Sequence, residues 1–92
     1  MRPVTTELRL EATAQQLIAE IAASRYRSVR ALAAAMGVDY ATLNRHLNGK
    51  SPLKMERIFD ILEMLDLPVA DFFVRVQLRY EGLQLAALQR TA

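Results

Sequence analysis

Small and polar side chains in the middle of the chain lie in a row on one face of a predicted helix, where they could form hydrogen bonds with another molecule. The row falls at positions i, i+3, i+4 and i+7 of a helix predicted over about 40–48, and it comprises Ala41, Asn44, Arg45 and Asn48. In the major groove, arginine donates two hydrogen bonds to guanine, asparagine pairs with adenine, and an alanine methyl contacts the methyl group of thymine. On an isolated helix the same row would be an ordinary solvated face, so its interpretation depends on the elements around it.

Other kinds of site chemistry have little support in the sequence. The chain has no cysteine, which excludes disulfides, a thiolate nucleophile and zinc–cysteine sites. His46 is the only histidine, so a histidine-based metal cage is excluded, and we expect it to be partly packed or in contact with the backbone rather than a pH sensor. Asp60 and Glu63 lie three apart on a predicted helix, where two carboxylates could act as acid and base, but no nucleophile accompanies them. We therefore predict no enzyme activity, no metal site and no cofactor.

Two short helices and a tight turn position the polar row. Ser28 offers a hydroxyl that can cap a second helix, and Gly37 ends that helix by adopting a left-handed backbone. Only Val38 separates this glycine from Asp39, which can cap the third helix before Asn48-Gly49 ends it. Because two helices joined by so short a turn cross steeply, we expect the third helix to protrude.

Helical patterns also flank this pair. Thr13-Ala-Gln-Gln16 has the form of a capping box, which predicts a first helix over about 13–25, with an earlier start near Thr6 as the alternative. Ser51-Pro52 is typical of a helix start, and the apolar stripe that follows predicts a fourth helix over about 54–66. Asp66-Leu67-Pro68 ends that helix.

The C-terminal part supports two interpretations. Apolar and polar residues alternate from 74 to 80, which is typical of a strand that would pair with residues 7–10. Apolar residues also recur there at alternating steps of four and three, as a helix requires: Val69, Phe73, Val76, Tyr80, Leu83 and Ala87. The alanine-rich end favours the helix, which we predict, and the strand remains the alternative.

Positive charge is concentrated in the middle of the chain, although the net charge is only +2. Residues 25–57 carry seven arginines and lysines against two acidic residues, a net charge of +5, whereas residues 58–71 carry −4. A basic segment favours the phosphate backbone of nucleic acids through long-range attraction and counterion release.

The segment from Val29 to Lys50 resembles the helix-turn-helix of lambda-repressor/Cro-type proteins, also called the XRE family. The resemblance rests on the order of Gly37-Val38-Asp39 at the turn, Thr42-Leu43-Asn44-Arg45 in the third helix and the closing Asn48-Gly49-Lys50. It extends over about residues 13–73. Asp39 stands where the family has serine, and Val29 and Tyr40 stand where it often has glutamine. Valine cannot donate a hydrogen bond, whereas the tyrosine hydroxyl can.

The resemblance implies roles for individual residues. The residues expected to face the bases are Tyr40, Ala41, Asn44 and Arg45. The residues expected to hold phosphates are Ser28, Arg30, Thr42, Asn48, Lys50 and Lys54. Arg27, in the loop before the second helix, could join them.

The resemblance and the helical patterns together predict an all-α fold. We expect a compact five-helix lambda-repressor-like DNA-binding domain with a C-terminal dimerisation extension. The corresponding division is an N-terminal extension at 1–12, the helix-turn-helix domain at 13–73 and the dimerisation segment at 74–92.

The C-terminal segment is too apolar to serve the core alone. A chain of 92 residues that is 52% apolar has more apolar residues than one small core needs. One stripe would cover the domain, and the other would be exposed unless a second chain covered it. The predicted dimer interface comprises Val74, Val76, Leu78, Tyr80, Leu83, Leu85 and Leu88.

These expectations combine into a homodimeric transcriptional regulator of prokaryotic or phage type. It would bind a palindromic operator in double-stranded DNA with the 40–48 helices in the major groove, as a Cro-like repressor or as an antitoxin-like regulator with a toxin partner. The alternative is a protein–protein adaptor that keeps the fold without binding DNA. No leader opens the sequence, and its longest uncharged run is eight residues against the roughly 20 of a bilayer span, so we expect a cytoplasmic protein.

Overall fold

Five helices account for the regular structure of residues 4–91, which are the residues that the computed structural model describes. Their bounds are α1 Val4–Ala23, α2 Val29–Met36, α3 Tyr40–Leu47, α4 Met55–Met64 and α5 Val69–Thr91. The all-α prediction is confirmed, and the alternative strand at 74–80 is wrong because those residues lie inside α5. Residues 1–3 of the expected N-terminal extension and residue 92 of the expected C-terminal segment lie outside the described residues.

Local capping fixes the bounds of α2 and α3, as predicted. The Ser28 hydroxyl accepts a hydrogen bond from the Ala31 amide, which satisfies a free donor at the start of α2. Gly37 ends α2 with a φ of 70°, a left-handed conformation that suits glycine because it has no Cβ. Asp39 then caps α3, so only two residues separate the glycine from the next helix.

The first helix begins much earlier than its predicted start at about residue 13. Thr13 lies in the middle of α1 and its hydroxyl donates to the Arg9 carbonyl at 2.7 Å, so the predicted capping box is not formed. The preceding turns are helical because their apolar side chains have a surface to cover: Ala12 is fully buried and Leu8 packs against the core. Tertiary packing therefore overrides the local start signal.

The start of α4 also differs from the predicted start in its capping residue. The helix begins at Met55, and its N-cap is Lys54, whose side chain makes no capping hydrogen bond. Ser51-Pro52 therefore precedes the helix without capping it. At the other end Asp66 adopts a φ of 54°, a left-handed residue that turns the chain into α5.

The core lies between the long helices α1 and α5 and the three short ones. α1 and α5 form the most extensive helix pair. The largest fully buried side chains come from all five helices: Leu17, Ile21, Leu32, Leu43, Leu47, Ile61, Leu62 and Phe72. Leu43 and Leu47 anchor the inner side of α3, so this helix has a fixed rotation about its axis.

Polar contacts reinforce the α1–α5 pair. Arg75 donates from Nη1 to both carboxylate oxygens of Glu20, at 2.9 and 2.8 Å, and Arg79 donates from Nε to Gln16 Oε1 at 2.8 Å. Gln16 in turn donates to Glu20 at 2.8 Å, so four side chains form one network. Burial raises the pKa of Glu20, but the hydrogen bonds from Arg75 and Gln16 and the two nearby guanidinium charges together hold it below its ordinary value.

The structure divides the predicted dimer interface into two groups. Val76 and Tyr80 are buried in the core of the chain itself, and Leu83 packs partly against that core, so these three side chains are turned toward the chain's own interior. The remaining four are 57–65% exposed: Val74, Leu78, Leu85 and Leu88. Only this second group, here called the outer row of α5, is open to another molecule.

Candidate nucleic-acid interface

The outward side of α3 is polar and accessible. Ala41, Arg45 and Asn48 are exposed and Asn44 is half-buried, whereas Leu43 and Leu47 on the opposite side are 1% and 2% exposed. The steep turn at Gly37 and the buried leucines therefore hold the polar row of α3 toward solvent. This arrangement matches the predicted one.

A short chain of hydrogen bonds runs along one side of α3 to Arg45. Asp39 accepts from the backbone amide and the hydroxyl of Thr42, both at 3.0 Å, and the Thr42 oxygen accepts from Arg45 Nη2 at 3.4 Å. The hydrogen bond from the Thr42 amide, then that from its hydroxyl and the charge of Arg45, hold the pKa of Asp39 below its ordinary value. Because Arg45 has only this one long hydrogen bond within residues 4–91, most of its donors remain available there.

Asn44 and Asn48 are joined to each other. The Asn48 side-chain amide donates to the Asn44 carbonyl oxygen at 2.7 Å and to Asn44 Oδ1 at 3.0 Å. The Asn44 amide group keeps its two N–H donors and one further acceptor position on Oδ1. Asn48 therefore orients Asn44, in addition to being exposed at the end of the helix.

Tyr40 and Arg30 form a stacked pair across the turn. The guanidinium carbon of Arg30 lies 4.1 Å from the centroid of the Tyr40 ring, within the range of a cation–π interaction. Tyr40 is half-buried against the core and Arg30 is exposed. The pair thus joins the start of α2 to the start of α3.

The other residues predicted to hold phosphates differ in whether their side chains already form hydrogen bonds within the protein. The Ser28 oxygen accepts from the Ala31 amide, which leaves its O–H able to donate to a phosphate, whereas the Thr42 hydroxyl already donates to the Asp39 carboxylate. Arg27, Lys50 and Lys54 are exposed, and none of them has a side-chain hydrogen bond to the described residues.

The sequence pattern of the Cro/C1-type HTH DNA-binding domain family matches residues 17–77, well over half of the chain. The chain belongs to this family. No curated protein and no solved structure matches it significantly. In this Cro/C1-type domain, α2, the Gly37 turn and α3 form the helix-turn-helix. The family resemblance seen in the sequence is therefore confirmed.

Basic side chains of the Cro/C1-type domain are unequally available. Arg25 donates to the Tyr26 hydroxyl at 2.8 Å and stacks on that ring, and Arg57 is half-buried. Besides Arg25, the exposed cations of this region are Arg27, Arg30, Arg45, Lys50 and Lys54. Asp39 is the one acidic side chain on α3 or its caps, and its tie to Thr42 and Arg45 compensates its charge locally.

His46 lies on α3 of this Cro/C1-type domain, outside the polar row of Ala41, Asn44, Arg45 and Asn48. The residue is half-buried, and its Nδ1 atom is enclosed with no hydrogen-bond partner among residues 4–91. The expected partial packing is therefore present, but Nδ1 makes no backbone contact.

The Arg30–Tyr40 stack could not be predicted from the order of residues. An arginine ten residues before a tyrosine carries no signal by itself, and the contact depends on how the two helices cross.

No helix among residues 4–91 has the length and apolar character to span a membrane.

Proposed function

We propose that this protein is a sequence-specific regulator that binds double-stranded DNA with α3 in the major groove. The observation that carries the proposal is the exposed polar side of α3, where Arg45 keeps free guanidinium donors and Asn44 keeps free amide donors. A groove about 12 Å wide admits one helix, and these two side chains are the types that discriminate guanine and adenine. Tyr40 and Ala41 at the start of the helix complete the proposed base contacts.

Exposed cations at the edges of the helix-turn-helix would hold the backbone. Arg27 precedes α2, Lys50 follows α3 and Lys54 stands at the start of α4. The first amides of α4 have no side-chain cap, so a phosphate is a suitable acceptor for them. Ser28, Arg30, Thr42 and Asn48 remain proposed phosphate contacts. Contacts of this kind set the register of the protein on DNA without reading sequence.

The proposed active form is a homodimer on a palindromic operator. The outer row of α5 would be covered by the same row of a second copy, which supports a two-fold arrangement. Two recognition helices about 34–36 Å apart would then meet successive turns of the major groove. Such a dimer would act by occluding or repositioning polymerase, as a Cro-like repressor or as an antitoxin-like regulator with a toxin partner.

A protein–protein adaptor is the second candidate. The same exposed row of α5 favours it, and so does Val29, which packs against the core and offers no hydrogen bond to DNA. The two functions differ in their response to salt, because a DNA-binding protein releases counterions in proportion to its phosphate contacts.

Selection from a pool of random duplexes, followed by titration of the winning sequence at several salt concentrations, tests the proposal. We expect a motif with two-fold symmetry and a log–log salt slope of several units. Enrichment of no motif, together with binding that does not change with salt, would support the adaptor instead.

A further inference from the structure

The stacked pair of Arg30 and Tyr40 connects two parts of the proposed interface that have different tasks. Arg30 is the second residue of α2 and Tyr40 is the first residue of α3, and the guanidinium carbon lies 4.1 Å from the ring centroid. The other two arginine–tyrosine stacks lie elsewhere: Arg9 on Tyr80 joins α1 to α5, and Arg25 on Tyr26 is a contact between neighbours. Among the cation–π contacts of the described residues, the Arg30 stack is the one that joins the two helices of the helix-turn-helix.

The geometry leaves both members of the pair with unused hydrogen-bonding groups. Within residues 4–91, no hydrogen bond or ion pair engages the Arg30 guanidinium, and the Tyr40 hydroxyl also has none. A guanidinium over a ring uses its face for the stack, while its five N–H donors lie around its edge and can hold a phosphate. One arginine can therefore contact the ring and the DNA backbone at the same time.

Two contacts within the protein hold the Tyr40 ring. Its inner side packs against the core, and Arg30 covers the ring from α2. Removing the guanidinium would free the ring to adopt other rotamers, so its hydroxyl would no longer meet a base edge in one fixed orientation.

We propose that Arg30 is a positioning residue for base recognition, which sets the sequence preference at the base pair that Tyr40 meets although Arg30 itself contacts only phosphate. This inference rests on the proposed function. It differs from an ordinary phosphate contact in one consequence: losing Arg30 weakens discrimination at one base pair as well as affinity for every duplex.

A double-mutant cycle with a matched control tests this inference. Arg30→Gln and Tyr40→Leu are made singly and together, and affinities are measured for the selected site and for its variants at each base pair. Arg27→Gln is the control, since Arg27 is exposed just before α2 and makes no ring contact among the described residues. Tyr40→Phe keeps the ring without the hydroxyl.

The expected results separate the two arginines. Both Arg→Gln changes should lower the log–log salt slope by about one, because each removes one phosphate contact. Only Arg30→Gln should also reduce discrimination at the Tyr40 base pair, by about three- to tenfold, the size of one cation–π contact. That additional loss should be absent in the Tyr40→Leu background. In free protein, the ring-current shift of the Arg30 side-chain protons should persist in Tyr40→Phe.

Other results would overturn the inference. If Arg30→Gln behaves like Arg27→Gln, or if the effects of Arg30→Gln and Tyr40→Leu on discrimination are additive, Arg30 is not a positioning residue while the proposed function stands. If the unmodified protein binds no duplex in a salt-dependent way, both fail. Should Tyr40→Leu unfold, the comparison of the two arginine variants in the presence of Tyr40 decides the question alone.

Discussion

Substituting leucines in the outer row of α5 should weaken dimerisation by an amount that follows from their exposure. Fully burying a leucine is worth about 1.5–3 kcal/mol, and Leu78 is 65% exposed in the single chain, so roughly 1–2 kcal/mol remains to be gained. Leu78→Ala should lose about 1 kcal/mol of that per protomer. Because a two-fold interface contains the substitution twice, the dimer loses about 2 kcal/mol, which corresponds to association roughly 30-fold weaker.

Sedimentation equilibrium over a wide range of protein concentrations measures this change. Leu85, seven residues later on the same face and 57% exposed, should give a similar result. The matched control is Leu10→Ala, at a leucine of α1 that is 45% exposed and lies outside the outer row. Point substitutions are preferable to truncation, since removing α5 from residue 75 onward would also take Val76 and Tyr80 out of the core. An unchanged dissociation constant for Leu78→Ala would refute the proposed interface.

Three further predictions concern the free protein. Ser28→Ala should lower the melting temperature by about 4–8 °C, because loss of the cap to the Ala31 amide costs about 1 kcal/mol, and an unchanged melting curve would contradict this role. Gly82→Ala should raise the melting temperature by a similar amount, since a Cβ there meets no atom within 4 Å and alanine favours the helix; a fall would mean that another chain packs closely against this residue. Glu20 stabilises the fold above its ordinary pKa of 4.5, and because its folded pKa is lower, this contribution should disappear as pH falls below that value. Glu20→Gln should therefore flatten the acid limb of stability measured by urea unfolding, and an acid limb identical to that of the unmodified protein would contradict the network.

The helix-turn-helix could be predicted from sequence because its boundaries are set locally. Ser28, Gly37 and Asp39 act on backbone groups within a few residues, so their types reveal where α2 and α3 begin and end. The inward positions of α3 follow from leucines four residues apart. The exposed polar row then follows from helical geometry alone.

The start of α1 and the helical conformation of α5 depend on packing contacts that the sequence pattern does not reveal. Thr13 looks like a cap, but α1 continues through it because Ala12 is buried in the core. In α5 the alternation from 74 to 80 is equally compatible with a strand, and burial of Phe72, Val76 and Tyr80 selects the helix. The same packing removes Val76 and Tyr80 from the surface that was expected to bind a partner.

The interactions within the proposed site were the least predictable part. The types of Arg45 and Asn44 and their place on α3 follow from the spacing, but the ties that orient them come from Thr42 and Asn48. Side-chain hydrogen bonds of this kind depend on rotamers, which the order of residues does not specify.

Base reading by the outward side of α3 is tested by comparing Arg45→Ala with Lys50→Ala on the selected duplex and its single-base variants. Arg45 should read a base, so its loss should reduce discrimination at one base pair by about 1–3 kcal/mol. Lys50 should hold a phosphate, so its loss should weaken binding to all sequences alike and lower the salt slope by about one. Both side chains are exposed, so neither change should alter the fold. If Arg45→Ala leaves the relative affinities of all variants unchanged, the outward side of α3 does not read DNA.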